Sequence, residues 1–320
     1  MRCPRLTELP APPLGKTGWP WAVESPQVPE NMPDGKPWPR ISIVTPSYNQ
    51  GQFIEETIRS VLLQGYPNLE YIVMDGGSTD GTVDILRKYE RHIDFWVSEP
   101  DKGQAAAINK GFARASSEIL AWLNSDDTYQ MGVLAQVAEL FSQWPGVDVI
   151  SGRCRLYYKD GREDILDPSP LRTLGDFLMV NSNWVKRRFL IQPEAFFRRL
   201  AFDKAGGLRD ELYFCLDTCL WMDMAVSGCA FASVDRHWAN WRMHEGQKSQ
   251  GQTDGFAVHA RIAWERLREN WARLDNPIAV ADDIFCYLDS LLRMEQKVSS
   301  NLRESTSYRI GRMLTRWRFW

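Results

Sequence analysis

A chain of 320 residues, 44% of them apolar, is long enough for one large domain with its own core plus a smaller appendage. Its net charge of −3 gives no overall basic field, which argues against general nucleic-acid binding. The six cysteines form no CxxC pair, and no signal-peptide core or run of 18 apolar residues occurs, so a cytoplasmic protein with reduced thiols is expected.

Prolines crowd residues 1–38, a density that excludes regular helix and sheet and predicts an arm, disordered or draped on the surface, that Trp19, Trp21 and Trp38 could pin. From residue 40 onward, short apolar runs alternate with amphipathic stretches. "ISIV" (41–44), "YIVM" (71–74), "FWV" (95–97), "ILAWL" (119–123) and "VDVI" (147–150) read as strands, being β-branched or aromatic and too short for helices. Between them, Ile54, Ile58, Val61 and Leu62 share one helical face, as do Val133, Val137, Leu140 and Phe141. This alternation predicts an α/β fold with a mostly parallel sheet covered on both faces, and ligands bind such sheets at the carboxyl ends of the strands. "GRCRLYYKDGRED" predicts a hairpin turning at Lys159-Asp160-Gly161, and "FASVDRHWANWRMH" a pair of strands. Two apolar stripes, Phe256 to Trp271 and Val280 to Met294, predict helices packed on each other or on the sheet.

Three of the strands end in polar clusters: "TPSYNQG", "DGGSTDGT" and "NSDD". In the second, Asp75 sits at the ligand edge while Gly76 and Gly77 let a ligand approach the backbone, although a turn with a helix cap would use the same residues. Adjacent Asp126 and Asp127 repel each other unless a cation or hydrogen-bond donors stabilise them, and hard cations that bridge phosphates use such oxygen ligands. Capping of the next helix remains the competing role for this pair. No GxGxxG follows the first strand, which disfavours a dinucleotide site. Cys215 and Cys219 lack two further ligands at suitable spacing and read as buried thiols.

The segments "ISIVTPSYNQGQFIEETIRSVLLQGYPNLEYIVMDGGSTDGT", "SEPDKGQAAAINKGFARASSEILAWLNSDD" and "QPEAFFRRLAFDKAGGLRDELYFCLDTCLWMDMA" resemble, in the expected order, family 2 inverting glycosyltransferases of the GT-A fold, of the bacterial surface-polysaccharide type. The resemblance spans residues 39–250, which divides the chain into an arm (1–38), a glycosyltransferase domain (39–250) and a C-terminal helical region (251–320). It implies a hexosyl- or N-acetylhexosaminyltransferase with a UDP-linked nucleotide-sugar donor. Pro46 and Tyr48 would flank the base and Asp75 would bind base or ribose. Asp126 would hold a Mg²⁺ or Mn²⁺ that bridges the diphosphate, helped by Asp127 and by His244 in "WRMHEGQKSQ". Lys102, Gln104, Asn109, Lys110 and Asn124 would lie near the donor edge, and Asp217 in "FCLDTCLW" would deprotonate the acceptor hydroxyl of a glycan or lipid-linked oligosaccharide.

Three positions depart from the family pattern: Cys219 and Ala106 stand where acidic residues are common, and Asn124 replaces the first acid of a D-x-D triplet. A catalytically degenerate module in a glycan-assembly complex is the alternative. A nucleotidyltransferase would carry a Gly-rich basic loop, which "TPSYNQG" is not. At the C-terminus, Ile310, Met313, Leu314 and Trp317 share a helical face, with six Lys or Arg against one Glu over 297–320. This pattern suits the surface of an anionic membrane or the protein's own acidic surface, and predicts a peripheral site on the inner face of the cell membrane.

Overall fold

The computed structural model describes residues 2–248 and 253–298. The apolar runs form β1 (Ile41–Ser47), β2 (Leu69–Asp75), β3 (Phe95–Ser98) and β4 (Ile119–Trp122), with α1 (Ile54–Leu62), α2 (Thr82–Tyr89) and α3 (Gln104–Arg114) between them. The short β5 (Thr128–Tyr129) and α4 (Val133–Gln143) follow. β2 and β4 each pair parallel with β1, and β3 parallel with β2. Alternate side chains enter opposite layers: Val44, Ile72, Leu120 and Trp122 one, Ile43, Tyr71, Val73 and Ala121 the other. A sheet buried on both faces needs that unbroken apolar content. α3 packs so closely on β1 that a Cβ at Gly111 would lie 2.5 Å from Val44 Cγ1, so only glycine permits the contact.

Beyond β4 the sheet becomes mixed. β6 (Val149–Tyr158) and β7 (Glu163–Ile165) form the expected hairpin, in which the Gly161 N–H donates to the Tyr158 carbonyl. Then come α5 (Leu174–Leu178), α6 (Val180–Val185), β8 (Ala195–Arg198), α7 (Arg199–Ala205) and α8 (Leu216–Val226), followed by β9 (Phe231–Met243), α9 (Thr253–Glu269) and α10 (Pro277–Val298). The strand order is β3-β2-β1-β4-β8-β6-β9-β5, with β7 on β6 and β8 antiparallel to both its neighbours. The expected pair of strands over 231–244 is instead one long strand. Its polar centre around Asp235 lies where the register with β6 shifts, between Ser151 and Cys154, so the pairing continues through an irregularity rather than turning back.

The proline-rich arm is fastened at several points, most heavily by one buried arginine. Arg59 on α1 is fully buried and donates to the carbonyls of Pro10 (2.9 Å), Pro20 (3.0 Å) and Trp21 (3.0 Å). These acceptors compensate a guanidinium that would be costly to bury alone. The Trp19 indole N–H donates to the Tyr129 carbonyl at 2.8 Å. At the other end of the domain, Trp221 of α8 stacks on Trp122 of β4 with centroids 5.8 Å apart, a pairing worth about 1 kcal/mol beyond its burial. Asp223 accepts from Arg209 and from Arg266 of α9, each at 2.7 Å, which ties α8 to the C-terminal helices. The basic amphipathic stretch carrying Ile310, Met313, Leu314 and Trp317 lies outside the described residues. Among the described residues no helix is long and apolar enough to cross a membrane.

Candidate active site

Because β1 is flanked by β2 and β4, the loops after these three strands lie together at one edge. The first two are laced to each other. The Asn49 N–H donates to Ser78 Oγ (2.7 Å), Thr79 N–H to Asn49 Oδ1 (2.9 Å) and Gly51 N–H to Asp80 Oδ2 (2.8 Å). Asn49 adopts φ +52°, a conformation that asparagine tolerates better than most residues. Tyr48 stands 63% exposed above this lattice, whereas Pro46 is buried in β1 opposite Met74.

Asp75 does not face the opening as a free acceptor. Its carboxylate accepts from the backbone of Gly77 (3.2 Å) and Ser78 (2.9 Å) and from the hydroxyls of Ser78 (2.5 Å) and Ser98 (2.6 Å). It is 2% exposed, with three of these donors on Oδ2 and one on Oδ1. These bonds give Asp75 a part in shaping the turn, alongside the base or ribose contact expected of it. Beside it, a Cβ on Gly76 would lie 3.0 Å from Asp101 Oδ2 and 3.3 Å from the Tyr48 ring, so glycine keeps that space narrow but open.

After β4 the two acids part company. Asp127 turns inward, 1% exposed, and accepts the Arg242 backbone N–H at 3.0 Å. Burial and the Asp126 charge push its carboxyl well above the usual range, against the pull of that N–H and of the Arg242 charge. Asp126 instead meets His244, with Oδ2 3.0 Å from Nε2. The Phe53 ring packs on His244 at 4.7 Å, and Arg242, whose Nε donates to the Asp126 carbonyl, lies 5.1 Å from the Phe53 ring centroid. Among the described residues no group of three or more His, Cys, Asp or Glu could hold a metal ion alone. A carboxylate and an imidazole 3.0 Å apart do fit two adjacent ligands of an octahedral ion with bonds of about 2.1 Å, an ion that takes its other oxygens from phosphate and water. Asp127 holds the loop behind that pair instead of facing it.

Asp217 lies in the first turn of α8, half-buried; burial raises its carboxyl pKa, and the nearby Lys248 ammonium opposes the rise. Cys215, which precedes the helix, takes φ +56°, and its thiol donates to the Gly255 carbonyl at 3.9 Å, so α9 braces this helix start. Lys248 donates to Gln104 Oε1 at 3.2 Å and sits 4.1 Å from the Tyr213 ring centroid. Burial lowers its pKa to about 8 although Asp217 and Asp101 favour its charge. Gln104 in turn donates to Asn124 Oδ1 at 2.8 Å. One chain of contacts thus joins Lys248, Gln104 and Asn124.

Asn109 does not join them. Its amide donates to the Leu208 carbonyl and to Asp210, each at 2.7 Å, and accepts the Leu208 N–H at 3.1 Å, so it buttresses the turn before α8. Lys102 is exposed, and Lys110 pairs with Glu99 at 2.7 Å on the surface. Arg242 and Lys248 were missed by sequence reasoning, although both flank His244 in the same segment, "WRMHEGQK".

Residues 42–206 match the family model for glycosyl transferase family 2. The putative teichuronic acid biosynthesis glycosyltransferase TuaG of Bacillus subtilis is 41% identical over 108 residues, which cover 33% of this chain and 43% of that protein. A poly-beta-1,6-N-acetyl-D-glucosamine synthase of Staphylococcus epidermidis is 31% identical over 121 residues, 37% of this chain and 29% of that protein. The chain thus spans less than half the length of each of these relatives. Among solved structures, S. aureus TarS 1–349 superposes with a TM-score of 0.62 at 18% identity, over 84% of this chain and 77% of that one. The mannosyltransferase PcManGT of Pyrobaculum calidifontis, solved with GDP-Man and Mn²⁺, gives 0.52 at 17% identity, over 92% and 82%. At such identities the likeness is one of fold, a GT-A sheet with flanking helices, while the family match covers more than half of the sequence. The chain belongs to glycosyl transferase family 2.

Proposed function

We propose that this protein is an inverting glycosyltransferase that moves a sugar from a nucleotide-sugar donor to a hydroxyl of a glycan or lipid-linked acceptor. The observation that carries this reading is the facing pair Asp126 and His244 on the same edge as Gln104 and Asn124, with half-buried Asp217 beside Lys248. Relatives point the same way: TarS was solved with UDP-GlcNAc and PcManGT with GDP-Man and Mn²⁺. A UDP-linked donor is the form we favour.

Asp126 and His244 would hold a divalent ion whose charge offsets that developing on the departing nucleoside diphosphate. Tyr48 offers an exposed ring for stacking on the base. Asp217 would accept the acceptor hydroxyl proton. The hydroxyl oxygen then bonds to the anomeric carbon as the bond from that carbon to the diphosphate oxygen breaks on the opposite side, which inverts the configuration. Burial suits Asp217 to this task, since a raised pKa makes a carboxylate a stronger base, and such assistance is worth roughly 10² to 10⁴-fold. Lys248 lies near enough to the base to hold it charged before the acceptor arrives.

The test is donor turnover. Incubated with a panel of nucleotide sugars and Mn²⁺, the protein should release nucleoside diphosphate from one of them, and NMR of the transferred or hydrolysed sugar should show inversion at the anomeric carbon. No release from any donor that binds would leave a non-catalytic member of the family.

A further inference from the structure

A cavity adjoins the site and extends away from it. Its volume is about 210 Å³, and Trp19, Glu56, Asp126, Arg155, Tyr157 and Arg242 line it. It shares Asp126 and Arg242 with the site described above and includes none of Tyr48, Gln104, Asp217 or Lys248. Its walls come from α1, β5, β6, β9 and the arm. Trp19 lies outside the 42–206 stretch of the family match, in the segment that buried Arg59 fastens, so this cavity depends on a feature that the family domain does not supply.

The lining decides what chemistry fits. Both arginines are already paired, Arg242 with Glu56 at 3.1 Å and Arg155 with Glu163 at 3.2 Å, so neither is free to hold a phosphate or other anion. Tyr157 is 42% exposed, and Trp19 is held by its bond to the Tyr129 carbonyl, so both offer aromatic surface. Amide and hydroxyl groups of Gln130, Asn240 and Thr128, bonded to one another at 2.8 and 3.0 Å, add donors and acceptors. An uncharged pyranose matches this set, with an apolar C–H face for aromatic rings and a rim of hydroxyls that both donate and accept. The volume lies below the roughly 300 to 1,000 Å³ of sites for drug-sized ligands, which suits a single sugar ring.

We infer that this cavity binds one uncharged sugar unit of the acceptor glycan, away from the reacting hydroxyl. The role rests on the glycosyl-transfer reading, but binding can be tested without turnover. The probes are methyl glycosides of glucose, galactose and N-acetylglucosamine, read by saturation-transfer NMR on the full chain with and without UDP and Mn²⁺. At least one glycoside should bind, be undisturbed by UDP with Mn²⁺, and bind about tenfold more weakly to Tyr157→Ala, as expected for one lost aromatic contact. Trp19→Ala should act likewise, and if that variant loosens the arm, Tyr157→Ala on the half-exposed face still decides. Absence of binding by all three glycosides, displacement by UDP with Mn²⁺, or equal binding by Tyr157→Ala would overturn the inference. Failure of UDP and GDP to bind the parent would count against the donor reading instead, and the glycoside result would still decide the cavity.

Discussion

β2 and β4 flank the same strand and each leads into an aspartate, yet the two carboxylates are used in opposite ways. Asp75 is closed in by four donors from its own turn and from Ser98. Asp126 meets a single side-chain partner, His244, and lines a cavity. An acid at a strand end therefore does not by itself mark a ligand site; the number of donors already committed to it decides whether it shapes the backbone or remains for chemistry. Asp217 lies between the two, half-buried in the first turn of α8 with a raised pKa and backbone N–H donors from Thr218 and its own residue.

Asp217→Asn should produce the largest effect. An amide cannot take the acceptor proton, so transfer should fall by roughly 10² to 10⁴-fold, while melting temperature and diphosphate affinity stay near those of the parent. A rate within a few-fold of the parent would place the base elsewhere.

Next comes the direct contrast of the two loops. Asp75→Ala strands several buried donors and should lower stability by about 2 to 3 kcal/mol in urea unfolding. Asp126→Ala should change stability by less than about 1 kcal/mol, because it removes a charge that raises the pKa of buried Asp127 as well as a partner of His244. Equal losses in the two variants would erase the distinction.

A smaller effect sharpens the role of Lys248. With its pKa lowered to about 8, the side chain is charged below that pH and neutral above it. Because its charge favours ionised Asp217, the Asp217 pKa should rise further in Lys248→Met, so that the acid limb of the transfer-rate profile moves to higher pH than in the parent. An unchanged pH profile in Lys248→Met would remove it from the setting of Asp217.

Much of this architecture was legible from local pattern. The parallel strands β1 to β4 are buried on both faces, so their apolar runs stand out, and the Asp160-Gly161 turn announces its hairpin. The four-residue β8 went unnoticed because its pairing with β4 and β6 joins segments far apart in sequence. β9 was divided in two because the irregularity near Asp235 resembles a turn when its partner strand is unknown. The site divides the same way. Gln104 and Asn124 are bonded to each other, whereas Asp75 and Asn109 bond their own loops, a difference invisible in sequence because a polar side chain reads identically whether it faces a ligand or its own backbone. Lys248 could be found only through the fold that carries it back to Gln104, 144 positions away.

The central claim is that Asp126 and His244 hold a divalent ion against a nucleoside diphosphate, and melting of the full chain with UDP or GDP tests it most directly. With Mn²⁺ and ligand at 100 times its dissociation constant, the parent should gain about 2.7 kcal/mol of stability. EDTA or Asp126→Ala should abolish that gain. The same stabilisation in EDTA and in Asp126→Ala as in the parent with Mn²⁺ would contradict the account.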